Sequence, residues 1–146
     1  LLDTRRVIQV GMRGPLYEPH DLQQARDFGF EVLVADDVRR MGWARVIEAV
    51  RRKVGDGPTF LSFDIDFIDP AFAPGTGTPE VGGFTSAEAQ SLLRGLTGLN
   101  FVAFDVVEVL PAYDNAGAIT ALLAANLAWE MLALTAWRVK HDKATG

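Results

Sequence analysis

Four runs rich in Val, Ile and Phe recur along the chain: "VIQVGM" (7–12), "EVLVA" (31–35), "TFLSFDI" (59–65) and "FVAFDVVEV" (101–109). Each is nearly continuously apolar, as a strand covered on both faces would be. Helix-period segments lie between them. "PHDLQQARDFG" (19–29) stops at a Gly, and "WARVIEAVRRKVG" (43–55) carries Arg and Lys in its last turns, where the helix dipole favours cations. "TSAEAQSLLRG" (85–95) opens with the Thr-x-x-Glu pattern of a capping box. Such alternation predicts βαβ units, and right-handed crossovers make their strands parallel. The expected class is α/β, a three-layer αβα arrangement with a mainly parallel sheet. Its 146 residues are the size of one domain.

In sheets of this kind, ligands gather outside the carboxyl ends of the strands. "RGPLY", "DIDFID" and "EVLPAYD" fall there, after the first, third and fourth runs. The middle segment places Asp64, Asp66 and Asp69 in an otherwise apolar stretch. Two buried like charges a few ångströms apart repel unless a proton or a cation compensates them. On an extended chain Asp64 and Asp66 point the same way, and all-oxygen ligation suits a hard divalent ion, Mg²⁺ or Mn²⁺. Asp69, before Pro70, also fits turn chemistry.

Charge narrows the partners. A net charge of -5 and a pI near 4.9 disfavour nucleic acid and anionic membranes, and suit a neutral or cationic small molecule. Without cysteine, disulfides and thiolate metal sites are excluded, in keeping with a reducing cytoplasm. The apolar stretch 116–137 would just span a bilayer, but Asn126 and Glu130 interrupt it, so a buried amphipathic helix is expected. The start, "LLDTRRVIQV", enters a strand almost at once with no leader pattern, which suggests a chain cut from something longer.

Strand-end Asp-x-Asp serves two metal chemistries: phosphoryl transfer to an aspartate, and hydrolysis by a hydroxide held between two ions. Phosphatases of the haloacid-dehalogenase type want Thr or Val four residues after the first Asp, where this chain has Ile68. The loop "APGTGTPEVGG" (73–83) is dense in Gly and Pro, allowing close backbone approach to a ligand. With its flanks, "SFDIDFIDPAFAPGTGTPEVGG" resembles the signature of the ureohydrolases, the arginase and agmatinase family. The likeness runs on through "GLNFVAFDVVEVLPAYD" and back to "VIQVGMRGPLYEPHDL".

That resemblance implies a pair of Mn²⁺ ions activating a bridging hydroxide, which attacks a guanidinium carbon and releases urea and an amine. Asp64 and Asp66 match the family's last two metal-binding carboxylates, one expected to bridge both ions, and Asp66 is also taken as catalytic. Glu108 matches the glutamate that holds the guanidinium, a role suited to paired charge-assisted hydrogen bonds. Asp105 stays open between a supporting role and satisfaction by the backbone. Asp69 is expected to fix its loop, and Asp114, beside Tyr113, to cap the terminal helix. His20 and His141 are expected to be solvated, and the basic run Arg39 to Lys53 to be the exposed face of a helix.

A full ureohydrolase brings four further metal ligands and a proton-shuttle His from its first half. These are absent here, so residues 1–146 are expected to be the C-terminal part of one ureohydrolase domain, inactive alone. Where arginases place acidic residues for the amino acid head group, this chain has Gly14 and Leu16. With Glu80 in "TGTPE", the pattern looks most like agmatinase, and agmatine is the first substrate expected. Guanidinobutyrate, guanidinopropionate and proclavaminate stay open. The family also implies a homo-oligomer, trimer or hexamer. A noncatalytic binding or assembly module of the same fold is the alternative from another class.

Overall fold

The computed structural model describes residues 2–18 and 20–142. The chain falls into two compact units, Leu1–Gly55 and Asp56–Gly146. In the first, β1 (Ile8–Met12) pairs in parallel with β2 (Glu31–Val34), and α1 (Asp21–Asp27) connects them. Two helices follow, α2 (Ala35–Met41) and α3 (Trp43–Val54). The basic run is therefore not one helix face. Gly42, with φ 76° and ψ 154°, breaks it, and Ala35, expected to end a strand, opens α2 instead. Val38, Val46, Ala49, Val50 and Val54 bury the apolar sides of these helices. Arg6 Nε donates to Val54 O at 2.7 Å, and Lys53 Nζ donates to Gly29 O at 2.8 Å, tying the end of α3 down.

The second unit carries the carboxylates. β3 (Thr59–Asp64) pairs in parallel with β4 (Phe101–Val107), joined by a long loop and α4 (Ser86–Gly95). The Thr85 hydroxyl accepts from Glu88 N–H while the Glu88 carboxylate accepts from Thr85 N–H, so the capping box read from the sequence is present. The terminal helix α5 (Ile119–Asp142) extends past the expected end and includes His141, whose ring stacks on Trp137.

Leu123, Leu127, Met131 and Leu134 recur at helical spacing along α5 and are buried. The first three join Phe63, Ile65, Ile68, Ala89 and Leu93 in one core, and each Leu-sized side chain so buried contributes roughly 1.5–3 kcal/mol. The two polar residues that interrupt its apolar stretch, Asn126 and Glu130, are both hydrogen-bonded. Asn126 Nδ2 donates to Leu122 O, and Glu130 holds Arg94 of α4. Among the described residues α5 is long and apolar enough to cross a membrane by length and composition.

The strands are not covered on both faces as their apolar runs predict. Phe63 and the partly buried Leu61, Phe104 and Val106 face the core, whereas Phe60 on the opposite side of β3 is 58% exposed. Alternation fixes this split: the Phe60, Ser62, Asp64 row and its register partners Ala103, Asp105 and Val107 share the other face.

Candidate functional site

β3 stops at Asp64, one residue earlier than its apolar run predicts, because Asp64 folds its own side chain back as a cap. Asp64 Oδ1 accepts from Asp66 N–H at 2.8 Å, which starts a single 3₁₀ turn over Ile65–Phe67. Asp66 therefore does not continue the extended chain; it sits in that turn while Ile65 is driven into the core. Asp64 is exposed and Asp66 partly buried.

The Gly-rich loop supplies what Asp66 needs. Thr76 Oγ1 donates to Asp66 Oδ1, and Thr78 Oγ1 donates to Asp66 Oδ2 at 2.9 Å. Two hydroxyls thus hold both oxygens of one carboxylate and fix its plane. Asp69 plays the loop-fixing role expected of it. Its Oδ1 accepts from Ala71 N–H at 2.9 Å, and its Oδ2 accepts from Gly82 and Gly83 N–H at 2.8 and 3.0 Å. The three neighbouring aspartates are thus stabilised in part by hydrogen-bond donors of their own loop.

The same loop is sewn to the segment after β4. Thr76 bridges to Val109, and Leu110 N–H donates to Gly75 O at 2.8 Å. Gly75 N–H donates to the buried Thr120 hydroxyl at 2.9 Å, and a Cβ at Gly75 would lie 2.9 Å from Asp114 Cβ. Asp114 caps α5 as expected, but from several residues upstream. Its carboxylate accepts from Thr120 N–H at 3.1 Å and Ala121 N–H at 3.0 Å. Although desolvation opposes its ionisation, the N–H groups of Ala121 and Thr120, the Thr120 hydroxyl and Asn115 N–H hold its carboxyl below the usual range.

Glu108 was expected inside a strand that ends at Val109. In the structure β4 ends at Val107, and Glu108 takes a left-handed conformation with φ 64° and an exposed side chain. Such backbone at a non-glycine residue costs on the order of 1 kcal/mol and collects at functional sites. Asp64 and Val107 are register partners, so Glu108 follows directly beside the end of β3. Asp105 lies two residues earlier than Val107 on β4, with Oδ1 buried and without a hydrogen-bond partner among the described residues.

Asp64 and Asp66 offer hard oxygen donors of the kind Mn²⁺ or Mg²⁺ accepts, and the hydroxyls on Asp66 leave lone pairs for a cation. They fit as part of a ligand set. Among the described residues no group of three or more His, Cys, Asp or Glu is placed to hold a metal ion. His20 stands at the N-terminus of α1 without capping it, and His141 lies on α5. Sequence reasoning missed Thr76, Thr78 and Thr120, whose roles depend on contacts made across the loop; for Thr76 and Thr78 their place in the Gly-rich segment was the one available signal.

The model of the Arginase family matches residues 1–133. The chain is 51% identical over 136 residues to guanidinopropionase of Pseudomonas aeruginosa, covering 93% of this chain and 42% of that protein. It is 49% identical over 132 residues to the mitochondrial agmatinase of Gallus gallus, covering 90% of this chain and 38% of that one. The solved proclavaminate amidino hydrolase from Streptomyces clavuligerus superposes with a TM-score of 0.86 at 42% identity, over 94% of this chain and 44% of that one. That likeness carries the αβα arrangement of helices and parallel strands. The chain spans about two-fifths of the length of the relatives it matches.

Proposed function

The chain belongs to the arginase family, and from that premise we propose that the complete protein hydrolyses a guanidino compound to urea and an amine with two Mn²⁺ ions bound. The observation that supports this is the placement of Asp64, Asp66 and Glu108 at or just past the carboxyl ends of two paired parallel strands. Asp64 and Asp66 are the carboxylates that would hold the metal. When bound, the ions supply activation of water for attack on the guanidinium carbon.

The other steps belong to this chain's own residues. Glu108 accepts paired hydrogen bonds from the planar guanidinium, and its left-handed backbone turns it out of the strand to do so. Thr76 and Thr78 keep Asp66 oriented, as hydrogen-bonded partners of metal carboxylates do. Asp69 holds the loop that carries both threonines. The ligand set is incomplete in this chain, so we propose that it is inactive alone and works with ligands from the remainder of the protein.

Agmatine is the first substrate we propose, because Gly14 and Leu16 offer no carboxylate to an amino acid head group. Guanidinopropionate is the second reading, favoured by the 51% identity to guanidinopropionase. The proposal extends to a cytoplasmic homo-oligomer, trimer or hexamer, consistent with the absence of cysteine and checked by light scattering. The testing experiment is urea release by the complete protein with Mn²⁺ from agmatine, guanidinopropionate, guanidinobutyrate and arginine. Urea from agmatine and not from arginine is expected. Urea from none of them would overturn the reading in favour of a noncatalytic module.

A further inference from the structure

The terminal helix α5 carries two apolar rows. Leu123, Leu127, Met131 and Leu134 are buried. The other row, Leu122, Ala125, Trp129, Leu132, Ala136 and Val139, stands exposed, with Trp129 at 72% and Leu122 at 62%. A surface helix ordinarily sets charged and polar side chains opposite its buried face. This row has none, and the one acidic residue between Ile119 and Lys140, Glu130, is drawn aside to Arg94 of α4. Successive members of the row are alternately three and four residues apart, which is the spacing of a coiled-coil seam, where positions a and d meet a second helix. At 1.5 Å per residue the row runs for about 26 Å, and an exposed apolar strip of such length marks a contact surface.

The row itself identifies what covers it. Turned about its midpoint, between Glu130 and Met131, it matches itself: Leu122 falls opposite Val139, Ala125 opposite Ala136, and Trp129 opposite Leu132. Each layer then sets an a position against a d position, and a two-fold axis makes every contact twice, as an interface between identical surfaces requires. Bulky layers lie at the centre and the ends, and the alanine layers between them let two helix backbones approach.

We propose that the outward row of α5 is a two-fold interface between copies of this protein, with two α5 helices antiparallel and Trp129 of each packed on Leu132 of the other. This rests on the homo-oligomer proposed above and names the surface that joins two of its subunits. A specific pair buries about 800 Å² per subunit, so a strip about 26 Å long and 10 Å wide is the apolar centre of a contact that its flanks complete.

The test is the mass of the complete protein in solution by light scattering, as wild type and as Trp129→Glu, with circular dichroism reporting whether the variant folds. The two-fold would bury the new charge twice without a partner, so the assembly mass is expected to fall twofold. A second measurement co-expresses Ala125→Cys with Ala136→Cys in a cysteine-free background of the complete protein. The mixture should give a disulfide-linked pair under mild oxidation. Ala125→Cys alone should give none, because two copies of that position lie about 16 Å apart along the axis, beyond the reach of a disulfide. If Trp129→Glu does not fold, the cross-link decides alone. Unchanged mass in folded Trp129→Glu, or absence of the mixed cross-link, would overturn the seam and leave the oligomer standing; the second result with an unfolded variant would assign the row to packing on the remainder of the protein. A monomeric wild type would overturn both seam and oligomer, and its flotation with neutral lipid vesicles would assign the row to a membrane instead.

Discussion

Thr78 Oγ1 lies 2.9 Å from Asp66 Oδ2, while Thr76 Oγ1 holds the other oxygen of the same carboxylate. A loop that reads as a connection thereby braces both oxygens of the carboxylate proposed to hold metal. The two threonines differ in burial: Thr76 is 2% exposed and Thr78 lies on the surface. Removing Thr76's hydroxyl strips a shielded charge-assisted bond, and Thr76→Val should destabilise by about 1–3 kcal/mol. Thr78→Val should change stability by no more than about 0.5 kcal/mol. Urea denaturation of the complete protein checks both.

Gly83 and Gly77 sit in one loop but have opposite tolerance. A Cβ at Gly83 would lie 2.4 Å from Asp69 N and 2.7 Å from its Cα, all backbone, whereas a Cβ at Gly77 meets nothing within 4 Å. Gly83→Ala should cost on the order of 2 kcal/mol or more, because Asp69 cannot retreat without losing its grip on the loop. Gly77→Ala should stay within about 0.5 kcal/mol of wild type. Equal effects in denaturation would contradict the described loop geometry.

At Glu108 backbone strain is set against the proposed substrate contact. At φ 64° glycine is at ease and alanine is strained. Glu108→Gly should be about 1 kcal/mol more stable than Glu108→Ala. Both variants should lose urea release, and Glu108→Gln should retain the fold while its KM rises. The denaturation midpoints of the Gly and Ala variants read the strain directly.

Asp114 should shape the acid limb of stability. Folding holds its carboxyl below the 3.8 of the unfolded chain, so the folded form binds fewer protons there. Its contribution is complete above that value and disappears as pH falls through the lower folded one. Asp114→Asn removes that dependence, and its stability should vary less with pH below about 4 than wild type does. Denaturant midpoints at stepped pH give the comparison.

Apolar runs and capping signals made the order of strands and helices legible, since burial and local hydrogen bonding act over a few residues. The Thr85 to Glu88 box and the loop-fixing Asp69 needed nothing remote. The separate helix over Ala35–Met41 was hidden because its Ala35 continues an apolar strand run, although Asp36 and Asp37 in its first turn and Arg39 and Arg40 in its last match the dipole. Glu108's turn was invisible for another reason: glutamate carries no preference for left-handed backbone, so only tertiary context imposes it. The Thr76 and Thr78 contacts to Asp66 span the loop and depend on how it closes.

The most direct test of the central claim is Mn²⁺ content and urea release from agmatine, measured on the complete protein as wild type, Asp64→Ala and Asp66→Ala. The account predicts metal and urea in the wild type, with both variants losing bound Mn²⁺ and at least about a hundredfold of activity, since removing a metal ligand removes the ion that activates water. Wild-type metal content and urea release in either variant would contradict it.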